Sequence, residues 1–469
     1  MANNLKSAAE LRKLLADRKA EAEKKLGGGK LSAHARMALL FDEGTFVEVG
    51  AYIRRKTTEL DISSGEEFEP VVTGYGAVDG TLVYAFSQDF SRLSGALGEA
   101  HAKKIADIYD MALRSEAPIV GVFDSAGAKI LEGVDALAGY GKIMEKSAAA
   151  KTAIPQIAVI AGPCGGASAV IARMFDIIIT TENGSLYIVP SSVCEDKEIG
   201  TAARLYKDGV SALQAKDEAE AFALVRRLVP YFGTFIENTD DASRAVDIDG
   251  ILSNENYEVR DVIAEIADAG SFIELVGGHA RHMATGFASI NSRVVGIVAT
   301  DPAEKGGALC PCAVKKAADF IDMCSGFEIP VITLVDTVGV PQKEHAEQKG
   351  ISEKLAHLAV SYTGGLSPKV TVVLGKAFGT AFTVLGSKSL GADIALALDR
   401  AEIAPMAPER AVEFLGDVND ESKKAEIAAD WAAKFASPVE AAKSGHIDDI
   451  IEASELRARI AASLEMLAF

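Results

Sequence analysis

The chain has 469 residues, 49% hydrophobic but only 6% aromatic. A core of Ala, Val, Ile and Leu spread over two or three domains is therefore expected, rather than an aromatic-rich β-sandwich. Forty-eight basic residues against 67 acidic ones leave a formal charge of −19, which argues against nucleic acid as a partner; no run reaches the roughly 18–20 apolar residues of a membrane span.

The first 25 residues, MANNLKSAAELRKLLADRKAEAEKK, carry no apolar centre and read as a charged amphipathic helix, not a signal peptide. A β-rich region (45–50 and 70–89) precedes a predicted helix near 99–115 and the strand PIVGVFD from Pro118. A helix near 133–150, the strand PQIAVIA from Pro155, a helix from about 166 and the strand DIIIT from Asp176 follow. This alternation predicts right-handed βαβ crossovers and a largely parallel sheet, an α/β fold. Residues 194–250, charge-rich and weakly patterned, read as a linker holding one short helix in EAEAFALVRRLVPYF. After Pro438, a stretch ending ELRARIAASLEML predicts one or two closing helices.

The pattern then repeats. ADIYDMALRSEAPIVGVFDSAGA from Ala106 aligns without a gap on ADFIDMCSGFEIPVITLVDTVGV from Ala318, matching Asp107 to Asp319, Asp124 to Asp336 and Gly127 to Gly339. One residue out of that register, PQIAVIAG from Pro155 aligns on PKVTVVLG from Pro368, and Gly166 on Gly379. So many identities in constant register mark two copies of one α/β unit, with boundaries expected at 1–245 and 246–469.

Each copy offers two candidate turns at strand ends: Ser125-Ala-Gly-Ala128 and the nearly side-chain-free Cys164-Gly-Gly-Ala167 in the first, Asp336-Thr-Val-Gly339 and Phe378-Gly-Thr-Ala381 in the second. A turn that opens a helix presents main-chain N–H groups without partners, backed by the helix dipole, and can hold an anion at a fixed point. For an enolate oxygen this is an oxyanion hole, and bare glycine lets the substrate approach the backbone. The turns contain no G-x-S-x-G, Walker loop or H-E-x-x-H. His101 and His357 fall in helical patterns that suit a surface or satisfied-core role. The five cysteines are odd in number and scattered, pointing to a reduced, cytoplasmic setting. Cys310-Pro-Cys312 lacks the second pair or neighbouring histidines of a zinc motif, so no metal site is expected.

Several segments resemble the carboxyltransferase subunit of biotin-dependent acyl-CoA carboxylases and decarboxylases. They include FSQDFSRLSGALGEAHAKKIADIYDMA (86–112), GVFDSAGAKILEGVDALAGYGKI, IPQIAVIAGPCGGASAV and PKVTVVLGKAFGTAFTVLGSKSLGAD. The resemblance runs from about residue 27 to 415. It implies two tandem crotonase-like spiral domains, with the acyl-CoA over the N-terminal domain and biotin, carried on a separate protein, over the C-terminal domain of a neighbouring subunit. Biotin would deliver the carboxyl group as CO2 and its ureido nitrogen would take the α-proton of the CoA thioester; a decarboxylase runs this in reverse.

By position, Gly165, Gly166 and Ala167 would form the acyl-CoA oxyanion hole, with Gly127 and Ala128 lining the cavity. Gly379, Thr380 and Ala381 would form the biotin hole. Where the family reads K-A-Y-G-G-A-Y-D this chain has Lys376-Ala-Phe-Gly-Thr-Ala-Phe-Thr383, so Thr383 replaces an acidic residue near the acyl pocket and Thr380 narrows the approach to the backbone. The implied partners are a biotin carboxyl carrier protein, a biotin carboxylase or membrane decarboxylase subunit, and further copies of the chain in a hexamer. Two alternatives stay open: a biotin-independent crotonase-type acyl-CoA lyase or decarboxylase, and a catalytically diverged structural subunit.

Overall fold

A computed structural model describes residues 7–26, 29–56, 68–237, 240, 244, 246–415 and 421–467. The chain forms two compact units, Met1–Pro230 and Tyr231–Phe469.

The strands of the first unit are β1 (Val47–Glu48), β2 (Val71–Val78), β3 (Thr81–Gln88), β4 (Ile119–Ser125), β5 (Gln156–Gly165), β6 (Ile177–Thr181), β7 (Ser185–Tyr187) and β8 (Leu213–Ala215). They form one sheet in the order β1-β2-β3-β4-β5-β6-β8, with β7 beside β5. β1, β2 and β3 pair antiparallel; the pairings from β3 onward are parallel. The β2–β3 hairpin turns on Asp79 and Gly80, both at positive φ, as a two-residue hairpin loop requires. The Asp42 carboxylate accepts both of their N–H groups. β4 and β6 are buried along their whole length, which is why they read as unbroken apolar runs: a parallel strand is covered on both faces.

The helices are α1 (Ala8–Lys25), α2 (Ala33–Leu40), α3 (Glu99–Arg114), α4 (Val134–Ala150), α5 (Ala167–Met174), α6 (Ala202–Lys207) and α7 (Glu218–Leu228). Two expectations change here. Much of 194–250 is not linker: β8 extends the sheet by parallel pairing to β6, and α7 is fastened to α2 through Glu218, which takes a buried ion pair from Arg36 (Nε–Oε2 2.6 Å). These contacts are long-range, so the local charge pattern carried no sign of them. The junction also falls earlier than 245/246, because Thr234 and Ile236 exchange main-chain hydrogen bonds with Val294 and Ser292 of the second unit's hairpin; residue 245 itself lies outside the described residues.

His101 is buried rather than on the surface, with no more than a weak contact from its ring to the Ala96 backbone among the described residues. Burial depresses its pKa to about 3, so the folded state holds it neutral while the unfolded chain protonates it near pH 6.5. Stability is then complete above pH 6.5 and lost as pH falls toward 3, at up to about 1.4 kcal/mol per pH unit. His101→Met should flatten this acid limb, a difference that urea melts at pH 7 and pH 5 will measure; equal slopes in both proteins would refute it.

The second unit repeats the plan. Its strands are β9 (Ile273–Leu275), β10 (Met283–Ile290), β11 (Arg293–Thr300), β12 (Val331–Thr337), β13 (Lys369–Phe378), β14 (Ile394–Leu398), β15 (Glu402–Ala404) and β16 (Asp449–Ile451). Their order, β9-β10-β11-β12-β13-β14-β16 with β15 beside β13, matches the first sheet strand for strand. The helices are α8 (Ile248–Leu252), α9 (Val259–Ile266), α10 (Pro311–Gly326), α11 (Glu344–Gln348), α12 (Ile351–Gly364), α13 (Thr380–Val384), α14 (Pro408–Leu415), α15 (Glu421–Phe435), α16 (Pro438–Lys443) and α17 (Leu456–Met466). The hairpin is capped as before: Asn291 and Ser292 take positive φ, and Asp268 accepts both N–H groups.

Candidate active site

In the first unit the β4–β5 ladder ends on the pair Ser125/Cys164, so the two glycine turns leave the sheet side by side. In the turn after β4, the Ala126 N–H donates to the Ser94 carbonyl (2.9 Å) and the Lys129 N–H to that of Leu97 (2.8 Å). The Gly127 N–H donates to Ser125 Oγ at 3.1 Å. Among the described residues the Ala128 N–H meets no acceptor.

In the turn after β5, Gly165 still belongs to the strand, paired with Tyr187. Gly166 has φ 58° and ψ −128°, a region essentially closed to other residues. Its N–H donates to the Tyr187 carbonyl at 2.9 Å, so it is not available to a ligand. α5 begins at Ala167 without a side-chain cap, and the Ala167 N–H has no acceptor among the described residues. A β carbon built on Gly127 or Gly166 finds no heavy atom within 4 Å; the backbone here borders open space. Ile130 (89% exposed), Val134 and Ile188 flank the two turns with exposed apolar surface.

Beneath them lies a buried ionic network. Asp124, fully buried, pairs with Arg36 (Nη2–Oδ2 2.8 Å) and Lys30 (Nζ–Oδ1 2.6 Å). Arg36 also bonds Glu218 and the Gln88 carbonyl. Burial would lower the Arg36 pKa, but the hydrogen bond to Glu218 and the charge of Asp124 outweigh it and hold the guanidinium above its usual value. Gly162 has no side chain because a β carbon there would strike the Asp124 carboxylate.

The second unit reproduces four of the main-chain N–H bonds of this scaffold. Val338 N–H donates to Gly306 O, Leu309 N–H to Gly339 O (as Leu97 does to Gly127 O), Gly339 N–H to Thr337 Oγ1 (3.0 Å) and Gly379 N–H to Ala404 O (2.9 Å). Gly379 has φ 58° and ψ −133°. Asp336 faces Gly375 as Asp124 faces Gly162, but its partners are the Tyr257 hydroxyl (3.0 Å) and the Lys376 N–H (2.9 Å). With no guanidinium hydrogen-bonded to it, burial dominates and the Asp336 pKa is raised. α13 is only five residues long, so its dipole is weaker than that of α5.

Gly165, Gly166 and Ala167 therefore sit on one turn with Gly127 and Ala128 on the turn beside it. Gly379, Thr380 and Ala381 occupy the matching turn of the second unit, with Thr380 and Thr383 exposed along α13. Sequence reasoning missed the groups that fix the glycines: the carbonyls of Tyr187 and Ala404, and the hydroxyls of Ser125 and Thr337. The latter two stand 212 residues apart as a hydroxyl pair, a signal the repeat itself contained. His357 pairs with Asp322 on the surface (2.9 Å), as its helical pattern suggested. A cavity of about 570 Å³ is bordered by Arg54, Lys56, Glu99, Asp107, Asp135 and Lys142 and by no residue of the two turns. The pair Cys310-Pro-Cys312, from which no metal site was expected for want of a histidine, lies against His282; the chain brings them together across 28 residues.

A parallel sheet twice built, each copy ending in a glycine-opened strand–turn–helix with free main-chain donors, defines an α/β protein of the crotonase-like type. The solved structure of the transcarboxylase 12S subunit, a hexamer with hydrolysed methylmalonyl-CoA bound, superposes with a TM-score of 0.92 at 32% identity over 98% of this chain and 96% of that one. Residues 24–468 match the carboxyl transferase domain. The propionyl-CoA carboxylase beta chain of Roseobacter denitrificans is 35% identical over 94% of this chain and 91% of its own length. The methylmalonyl-CoA decarboxylase subunit alpha of Propionigenium modestum is 36% identical over 95% and 92%. The chain belongs to the carboxyl transferase domain family, and its chemistry is carboxyl transfer involving an acyl-CoA.

Proposed function

We propose that this chain is the carboxyltransferase subunit of a biotin-dependent short-chain acyl-CoA carboxylase or decarboxylase, with the first unit on the acyl-CoA side and the second on the biotin side. The observation that carries the site assignment is the pair of unsatisfied main-chain donors, Ala128 and Ala167 N–H, on adjacent turns beside the open backbone of Gly127 and Gly166. Loss of a thioester's α-proton, or of its α-carboxyl group, moves negative charge onto the carbonyl oxygen. Two fixed donors, one of them at the positive end of α5, stabilise that charge without reorganising, worth about 2.7–4 kcal/mol per donor. Gly166 holds Ala167 in place through the Tyr187 carbonyl, and Ser125 Oγ holds Gly127 in the same way. The exposed apolar residues Ile130, Val134 and Ile188 suit the pantetheine arm or a neighbouring subunit in a hexamer.

On the other side, Gly379 excludes a β carbon, which would lie 2.9 Å from the Pro405 carbonyl oxygen, and Thr380 is exposed beyond it, while the exposed Thr383 would border the acyl group and tune substrate choice. This bare, polar turn fits a ureido group, which the Thr380 and Ala381 backbone would hold. Biotin, when bound, supplies the carboxyl group and the acceptor for the α-proton. Because it arrives on a carrier protein, a biotin carboxylase or a membrane decarboxylase subunit completes the enzyme, with this chain in the cytoplasm.

The test is to incubate the purified chain with free biotin and malonyl-CoA or methylmalonyl-CoA and measure released CO2. Release that requires both biotin and the acyl-CoA is expected. Turnover that persists after avidin treatment would reassign the chain to the biotin-independent lyases, and no CoA-dependent decarboxylation with any short acyl-CoA would overturn the reading.

A further inference from the structure

The two copies differ at the start of one helix. In the first unit α3 begins after Gly98, and the Glu132 carboxylate reaches into that space to accept the Glu99 N–H at 2.7 Å. Leu97 is meanwhile held by two main-chain bonds, to Gly127 and from Lys129.

At the constant offset of 212 the second unit has lost the carboxylate cap and one of those two main-chain bonds, keeping only Leu309 N–H to Gly339. Glu344 replaces Glu132 but lies exposed on α11, and Pro341 replaces Lys129, with no N–H to donate. The positions of Gly98 and Ala100 are taken by Cys310 and Cys312. Cys310 is the residue before α10, and Pro311 opens the helix. The buried side chain of His282, whose own carbonyl is fixed by the Asp301 N–H, meets them there. Its Nε2 is 3.0 Å from Cys310 Sγ, which is 2.7 Å from Cys312 Sγ. All three atoms lie within 4.8 Å of one another.

We propose that His282, Cys310 and Cys312 bind a zinc ion that pins the start of α10 where the second copy has lost its carboxylate cap. Two thiolates and an imidazole are a zinc donor set that leaves a fourth position for water or another ligand. Tetrahedral bonds of about 2.3 Å to sulfur and 2.0–2.1 Å to nitrogen put donor atoms roughly 3.5–3.8 Å apart, so the two sulfurs need only swing outward by about 1 Å. Binding forms two Zn–S bonds and one Zn–N bond, and any proton still carried by a thiol or by His282 Nε2 passes to solvent; no oxidant or reductant takes part. The positive end of α10 favours a thiolate at Cys310, the residue that precedes the helix. Because Leu309, next to Cys310, donates to Gly339, the ion would stiffen the turn after β12 as well as the helix. This inference is independent of which acyl-CoA the enzyme uses.

The test is cobalt titration of the full-length chain after chelator treatment under reducing conditions. One equivalent of Co2+ should give thiolate-to-cobalt charge-transfer absorption that Zn2+ abolishes, and Zn2+ should raise the melting temperature. Cys310→Ser and Cys312→Ser should each lose that absorption, and His282→Gln should bind roughly tenfold or more weakly. Metal-free melting of each variant, compared with metal-free wild type, shows that the variants still fold. The proposal fails if the wild type gives no charge-transfer band, if the Cys310→Ser/Cys312→Ser double variant keeps it, or if a Cys310–Cys312 disulfide persists in the wild type under the reducing conditions of the titration and no cobalt is taken up.

Discussion

Gly166→Ala is expected to cut biotin-dependent decarboxylation by about a hundredfold or more, while the protein stays folded. Two effects combine. At φ 58° and ψ −128° an alanine is strained by roughly 1–3 kcal/mol, and relief of that strain turns the peptide that aims the Ala167 N–H. The added methyl group also meets no protein atom within 4 Å, so it projects into the space assigned to the thioester. Losing one oxyanion donor alone costs a factor of about 10²–10³. The loss should fall on kcat more than on KM, because the donor acts on charge that develops during reaction. Gly379→Ala makes the useful contrast: its β carbon would lie 2.9 Å from the Pro405 carbonyl oxygen, a backbone atom that cannot swing aside, so its melting temperature should fall further than that of Gly166→Ala. Steady-state kinetics with thermal melts separate the two, and a Gly166→Ala enzyme within roughly twofold of wild type would remove the first turn from the mechanism.

Arg36→Met should destabilise the first unit strongly. The guanidinium is 1% exposed and joins the carboxylates of Asp124 and Glu218 with the Gln88 carbonyl. Its removal leaves Glu218 without that cation and Asp124 with Lys30 alone, a loss of about 3–5 kcal/mol for a broken buried pair. For a unit of this size that is a fall in melting temperature on the order of 10 °C. Asp124 immediately precedes Ser125, whose hydroxyl orients Gly127, so kcat should fall at temperatures where the variant is still folded. Differential scanning calorimetry is the direct measurement; a shift within about 2 °C would mean that the network contributes little net stability.

The matched 212-residue spacing is also a matched set of hydrogen bonds, and this is why so much was legible. Strands that must be buried on both faces cannot hide their apolar runs, and a glycine required at positive φ recurs wherever the backbone repeats, as at Gly127/Gly339 and Gly166/Gly379. What the turns do was less legible. The bare run Cys164-Gly-Gly-Ala167 offers several donors in sequence, yet the Gly166 N–H belongs to the Tyr187 carbonyl, and the free donor is that of Ala167.

The amino-acid sequence alone therefore determined the repeated α/β plan and the position of the glycine turns, because periodicity and backbone freedom are local properties written residue by residue; the family came from the resemblance of particular segments. Tertiary structure alone decided which N–H groups remain free, that β8 is sheet rather than linker, that Arg36 lies between Asp124 and Glu218, and that His282 faces Cys310 and Cys312. Each of these depends on segments distant in the chain meeting at one point, and a hydrogen bond, an ion pair or a metal site is formed by that meeting, not by the composition of either segment.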